Sequence, residues 1–315
     1  MTGKTAFVFP GQGAQAIGMG KDFYDNYQEA KSVFDKADEV LKRDISKICF
    51  EGPEEDLRQT INTQPAIVTT SIAILEVLRA KTGIIPSFSA GHSLGEYCAM
   101  YSAGVLSLED TIYLISQRAN AMSKVKGGSM AAVLNLEESK LKECIEMAKT
   151  KGYVDVANYN SPAQIVITGE DEAVKYASEL MSEAGARRVV PLAVSGAFHS
   201  ELMKDAAKEF SLALNSVEIK DANYPVVTNV DSEFTTLASD FENKMPKQIY
   251  SSVKWTQSIQ KMVSEGVDTF IEIGPGKVLS GLIKKISPEV KVYNVYDLES
   301  LNDTILSLDS QMSAV

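Results

Sequence analysis

Gly91-His92-Ser93-Leu94-Gly95 lies between a short strand-like stretch, Ser87 to Ala90, and a helical segment rich in small residues reaching Gly104. It fits G-x-S-x-G between a strand and a helix, a combination that constrains the fold more than any other stretch. Such a turn lifts a serine hydroxyl above a sheet edge. The glycines are needed because a side chain at either place would collide with the neighbouring strand or helix. The serine also sits at a helix N-terminus, where the dipole and free N–H groups stabilise a developing oxyanion. The plain alternative is a glycine-flanked turn that merely contains a serine; the strand and helix on either side favour the nucleophile.

The rest of the chain supplies what such an elbow needs. Thr5 to Phe9 is an apolar run stopped by Pro10 and Gly11, which predicts a buried strand feeding a glycine loop. Residues 21–43 and 62–81 have helical patterns, with Pro65 near the start of the second. Ser107 and Asp110 form a capping box for a helix over residues 108–125. After Gly127-Gly128 the order changes to strand (129–135), helix (137–150), two strands (154–159 and 164–168), helix (171–184) and strand (187–192). That βαββαβ order is the ferredoxin-like arrangement, taken as a small domain over 128–193 inserted into a larger one made of 1–127 and 194–315. The chain then alternates again: helix 200–215, strand 225–229, helix about 248–265, strand 269–273, a Gly-Pro-Gly turn and helix 277–286. Alternation of this kind predicts an α/β architecture with a mainly parallel sheet. The polar tail beyond Asp297 is expected to be loosely held.

Composition removes several classes. The 31 Lys and Arg against 42 Asp and Glu leave a net charge of −11, unsuited to general nucleic-acid binding. No run approaches ~18 consecutive apolar residues, so no membrane-spanning helix is expected. The N-terminal stretch lacks a small-residue cleavage site and reads as a first strand rather than a signal peptide. Cys49, Cys98 and Cys144 are far apart and form no C-x-x-C. Neither a disulfide framework nor a zinc site is expected, and a reducing cytoplasm fits.

The chain has only two histidines, His92 and His199. A serine hydroxyl needs a base. His92 is adjacent to Ser93 in the elbow and should point away, so elimination leaves His199. No Asp or Glu stands out as the group that orients it; a backbone or amide carbonyl can serve. Arg118 has Leu114, Ile115, Ala121 and Met122 as helical neighbours. A guanidinium in an apolar stripe must find an anion: either a structural carboxylate, or a substrate carboxylate gripped in two-point fashion. Gly11-Gln12-Gly13 lacks the Lys-Ser/Thr ending of a phosphate loop. It is read as a loop bringing a backbone N–H towards the elbow as a second oxyanion donor.

FPGQGAQ (9–15), GHSLGEY (91–97), QRANAM (117–122), NYNSPAQIVITG (158–169), GAFHS (196–200), VVTNV (226–230), QIYSSVKW (248–255) and EIGPGKVLSGLIKK (272–285) occur in this order. Together they resemble the malonyl-CoA:acyl-carrier-protein transacylase family of bacterial fatty acid synthesis, over nearly the whole chain. The resemblance implies an α/β-hydrolase-like large domain with the ferredoxin-like insert. It implies Ser93 as nucleophile, His199 as acid/base, Arg118 as the clamp on the malonyl carboxylate, and the N–H groups of Gln12 and Leu94 as the oxyanion hole. It also implies that Gln248 orients His199 through a carbonyl oxygen. Phe198, before the histidine, is the form that goes with malonyl rather than methylmalonyl selection. The implied partners are malonyl-CoA and a phosphopantetheinylated acyl carrier protein, with no metal or redox cofactor. A monomer is expected.

Three other readings stand beside it, one being a non-catalytic carrier-docking protein, against which the presence of both Ser93 and His199 argues. A discrete malonyltransferase serving a polyketide synthase has the same signature. A serine esterase or thioesterase places Asp and then His late in the chain, whereas no histidine follows His199. Because carrier proteins are acidic and so is this chain, a local basic patch near the serine mouth is expected. The candidate cations are Lys124 and Lys126, Arg187 and Arg188, and Lys277, Lys284 and Lys285.

Overall fold

The structure is a computed structural model describing residues 3–194 and 196–313. Met1, Thr2, Ser195, Ala314 and Val315 lie outside the described residues. Ten strands follow in chain order: β1 Lys4–Phe9, β2 Phe88–Gly91, β3 Ser129–Leu134, β4 Val154–Ser161, β5 Gln164–Gly169, β6 Arg188–Pro191, β7 Val226–Val227, β8 Phe234–Thr235, β9 Val267–Ile273 and β10 Lys291–Val295. They form two sheets.

The larger sheet runs β10-β9-β1-β2-β7-β8. Its pairs are parallel except β7 with β8. Central β1 explains why the N-terminal run is apolar at every position from Ala6 to Phe9. Phe7 and Phe9 face one core, which holds the helix Thr60–Thr82. Ala6 and Val8 face another, with Trp255, Ile259 and Phe270. A strand covered on both faces loses the polar alternation of a half-exposed one. The helix Thr60–Thr82 is long and apolar enough to cross a membrane, yet 89% of its most apolar window is buried inside the fold.

The second sheet runs β4-β5-β3-β6 and its pairs are antiparallel. Ala131, Val133, Ile165 and Ile167 pack on the helices Glu138–Ala148 and Asp171–Glu183. Met130, Ala132, Val166 and Ala157 belong instead to the core of the larger sheet. The two bodies are also joined through backbone: Val253 N–H donates to Ala157 O at 2.8 Å and Tyr159 N–H to Val253 O at 2.9 Å.

Three local expectations are corrected. The helix read over 248–265 is two, Ala238–Tyr250 and Trp255–Ser264. Between them Val253 pairs with the edge of β4, a demand no local propensity signals. The tail is not loose as far as it is described: Leu298–Ser313 is helical. Leu301 is buried, and Leu298 N–H donates to Asp22 Oδ2 at 3.0 Å. The 21–43 helix breaks at Tyr27, whose backbone is extended. β8 and β10 were not expected; both are short edge strands.

Candidate active site

β2 ends at Gly91 and the helix Gly95–Ser102 begins three residues after His92. Turning this sharply leaves Ser93 at φ 52°, in the left-handed region that non-glycine residues rarely occupy. The flanking glycines have no alternative. A β-carbon at Gly91 would lie 1.9 Å from the Gly95 carbonyl carbon, and one at Gly95 would lie 2.3 Å from Phe9 O.

His199 is likewise at positive φ, 58°. Its Nε2 lies 2.8 Å from Ser93 Oγ. Its Nδ1 lies 2.9 Å from the backbone oxygen of Gln248 and 3.1 Å from that of Ser251. With two carbonyl acceptors at Nδ1, that nitrogen carries the proton and Nε2 is left to accept from the serine. Here the corrected helix boundary matters. Gln248 is in the last turn of Ala238–Tyr250, where carbonyls have no partner inside the helix. His199 takes up one of them, and the negative end of the helix dipole faces the imidazole. Burial first, and then the nearby Arg118 charge, hold the His199 pKa far below the ordinary histidine range, at about 3. The imidazole is therefore neutral at physiological pH.

Arg118 is 1% exposed. It lies on the helix Leu108–Lys124, whose start Ser107 caps by accepting from Asp110 N–H at 3.0 Å. One guanidinium nitrogen, Nη1, donates to Gln64 Oε1 at 2.6 Å. The other, Nη2, donates to Ser93 Oγ and Gln248 Oε1, each at 3.0 Å. All three partners are neutral, and Arg118 forms no ion pair among the described residues. No carboxylate bonds it directly; the buried Glu96 carboxylate acts on it only through its field. What remains is a buried cation at the serine with no anion hydrogen-bonded to it among the described residues.

Gln12 and Leu94 flank the serine from the first loop and from the elbow. Neither N–H makes a hydrogen bond among the described residues. Phe198 is 6% exposed and lines the same cavity of about 470 Å³ as Gln12, Ser93, Arg118 and His199. His92 does turn away from Ser93 Oγ: its Nε2 lies 2.8 Å from Asn160 Oδ1 of β4. None of the seven candidate cations, of which at least one cluster was expected to flank the mouth, lines this cavity; Arg58 does, paired with Glu54 at 2.6 Å. Lys124 pairs with Glu209, and Lys284 donates to Val290 O.

Sequence reasoning missed Gln64, Asn229, Glu96 and Ser251. Asn229 follows β7 and its side chain reaches the elbow, with Oδ1 accepting from Ser93 N–H at 2.8 Å and Nδ2 donating to Gly91 O at 2.7 Å. Only the motif VVTNV pointed to it, and without a role.

A mainly parallel α/β sheet with this serine and histidine beyond the end of an interior strand fits enzymes that move acyl groups, and the relatives place the chain in that class. An acyl transferase domain matches residues 6–298. The chain is 47% identical over 312 residues to a malonyl CoA-acyl carrier protein transacylase of Bacillus subtilis, covering 98% of each. A solved malonyl CoA-acyl carrier protein transacylase from Clostridium perfringens superposes with a TM-score of 0.94 at 41% identity, over 99% of each chain. A malonyl-transacylase solved in complex with its holo type II PKS acyl-carrier protein gives a TM-score of 0.94 at 37% identity, over 96% of this chain and 99% of that one. The chain belongs to the acyl transferase family and is an acyltransferase.

Proposed function

We propose that this protein moves a malonyl group from malonyl-CoA to the phosphopantetheine thiol of an acyl carrier protein by way of a malonyl ester on Ser93. The observation that carries the reading is the meeting of three groups at one atom. Ser93 Oγ lies 2.8 Å from a neutral His199 Nε2 and 3.0 Å from an Arg118 nitrogen that has no anion. Ser93 Oγ attacks the thioester carbonyl as its proton passes to His199 Nε2. The carbonyl oxygen, now negative, is held by the free N–H groups of Gln12 and Leu94. The C–S bond breaks, and the CoA sulfur leaves with the proton from His199. In the second half the carrier thiol gives its proton to His199, attacks the ester carbonyl, and Ser93 takes the proton back. The balance calls for no metal or redox cofactor.

Arg118 suits the free carboxylate of malonyl, which would supply the missing anion. Two carbonyls at a helix end take the place of a third carboxylate, holding the imidazole tautomer and easing its transient positive charge. Phe198 crowds the substrate α-carbon beside the base. The large body is read as α/β-hydrolase-like, over 1–127 and 194–315. The 128–193 unit is read as ferredoxin-like, supported by its antiparallel sheet with β4 and β5 beside β3 and β6 at the far edge. The proposed setting is the cytoplasm, as a monomer, with the carrier of fatty acid synthesis as acceptor. The 37%-identical neighbour solved with a polyketide carrier keeps that carrier class as the second reading.

Incubation with malonyl-CoA, intact-mass detection of a malonyl adduct, then addition of holo-carrier tests this. The expected result is an adduct on the wild-type chain, none on Ser93→Ala, and transfer to the carrier. Release to water would mark a hydrolase, and an adduct on Ser93→Ala would overturn the nucleophile. Comparing carriers of the two pathways separates the two settings.

A further inference from the structure

Ser93 is held in a conformation that its side chain disfavours. A non-glycine residue at positive φ persists only where its surroundings over-determine it. Those surroundings can be traced. The Ser93 N–H donates to Asn229 Oδ1 at 2.8 Å, and the Ser93 carbonyl accepts from Gln248 Nε2 at 2.8 Å. The Gly91 carbonyl accepts from Asn229 Nδ2 at 2.7 Å. One amide side chain thus grips the elbow on both sides of His92.

Asn229 is itself tied down. Its N–H donates to Glu96 Oε2 at 2.6 Å, and its carbonyl accepts from Lys254 N–H at 3.0 Å. Asn229 is fully buried and Glu96 is 1% exposed. Glu96 belongs to the helix that the elbow starts, Gly95–Ser102, and forms no ion pair among the described residues. A carboxylate buried without a cation is costly. Burial raises its pKa to about 7, while the Asn229 N–H, the Gln248 amide and the Arg118 charge pull the other way. Neither residue touches Ser93 Oγ or His199, so the chemistry above leaves both unused.

We infer that Asn229 and Glu96 are positioning residues for the nucleophile. Glu96 anchors Asn229, and Asn229 holds Ser93 in the left-handed turn that brings its Oγ to His199. The inference rests on the reading of Ser93 as nucleophile.

The test uses the full chain and the variants Asn229→Ala, Asn229→Asp, Glu96→Ala and Glu96→Gln. It measures the single-turnover rate of malonyl-adduct formation per folded molecule, the malonyl-CoA concentration at half-saturation, the rate of Ser93 labelling by a fluorophosphonate, and the melting temperature. Asn229→Ala should slow adduct formation by about 10²-fold, as a displacement of the reacting atom does. Half-saturation should stay near the wild-type value, because the substrate contacts remain. Asn229→Asp keeps an acceptor for the Ser93 N–H but takes the donor away from Gly91. It should still lose about 10-fold, and it decides the case if Asn229→Ala does not fold. Glu96→Gln retains an oxygen for the Asn229 N–H and should lose less than Glu96→Ala. A merely structural role would lower the melting temperature while leaving the rate per folded molecule unchanged, and that result overturns the inference. Equal losses for Glu96→Gln and Glu96→Ala overturn the anchoring step. If wild type forms no malonyl adduct, the proposed transfer fails by itself; fluorophosphonate labelling needs no acyl-CoA and still reads the positioning.

Discussion

Ser93 and His199 both sit at positive φ, 52° and 58°, yet the backbone around them is held in different ways. At the elbow, strand and helix meet so closely that a β-carbon at Gly91 or Gly95 would fall within 2.3 Å of backbone atoms. In the His199 loop the nearest atom to a β-carbon at Gly196 is Met203 Cε at 3.3 Å, the end of a flexible side chain. The elbow is dictated by sterics; the loop is held by two carbonyls accepting from one imidazole nitrogen. The nucleophile is thus placed by close packing of strand on helix together with the Asn229 and Gln248 amides, and the base by carbonyls at a distant helix end alone.

The largest effect should come from adding a methyl group to each region. Gly91→Ala should destabilise the protein by ~4 kcal/mol or more, since backbone must move. Gly196→Ala should stay within ~1 kcal/mol, because Met203 can shift. Denaturant unfolding of both variants checks the contrast, and equal losses would erase it.

His199→Ala should slow adduct formation by at least ~10²-fold while Ser93 keeps its backbone position. The depressed His199 pKa adds a pH signature. The unfolded chain binds a proton below the ordinary 6.5 while the folded one resists it down to about 3. The stability tied to this group is therefore present above 6.5 and is lost as the pH falls from there towards 3. His199→Gln should flatten that slope. In the wild type, kcat/KM should show no acid limb near 6.5.

Arg118→Ala sharpens the comparison at the place where the two regions share a ligand. Malonyl use should fall about 10- to 150-fold relative to acetyl use, matching a charge-assisted pair of roughly 1.5–3 kcal/mol. Parallel kcat/KM measurements on the two thioesters decide; an equal fall for both would make Arg118 purely structural. Phe198→Ser should raise methylmalonyl use relative to malonyl by an amount corresponding to ~1–3 kcal/mol, and an unchanged ratio would place the exclusion elsewhere. The smallest effect is expected at the cavity rim. Arg58→Glu should raise KM for the carrier a few-fold, in line with ~0.2–1 kcal/mol for an exposed charge. It should leave the malonyl-CoA half-reaction nearly untouched, with added salt acting in the same direction.

Local sterics and elimination are legible in the amino-acid order alone. G-x-S-x-G between strand and helix leads to the elbow at Ser93 because few other residues survive that turn. Two histidines, one of them inside the elbow, leave His199. The short strand-like stretches and helical patterns lead to the alternating elements and to the βαββαβ order of 128–193. Contacts between distant segments emerge only once the chain has folded. The break at residues 251–254 goes with pairing of Val253 with β4, and that break leaves the Gln248 backbone carbonyl free for His199. The tail folds because Leu301 finds the core. Arg118 could not be assigned from its apolar stripe, since the choice between an internal carboxylate and an empty place for one lies in residues 54 and 130 positions away. Asn229, in a motif the sequence leaves without a role, meets Ser93 across 136 residues of chain and Glu96 across 133. Sequence spacing carries the sterics of neighbours, whereas a buried polar group finds its partner only when the chain has closed around it.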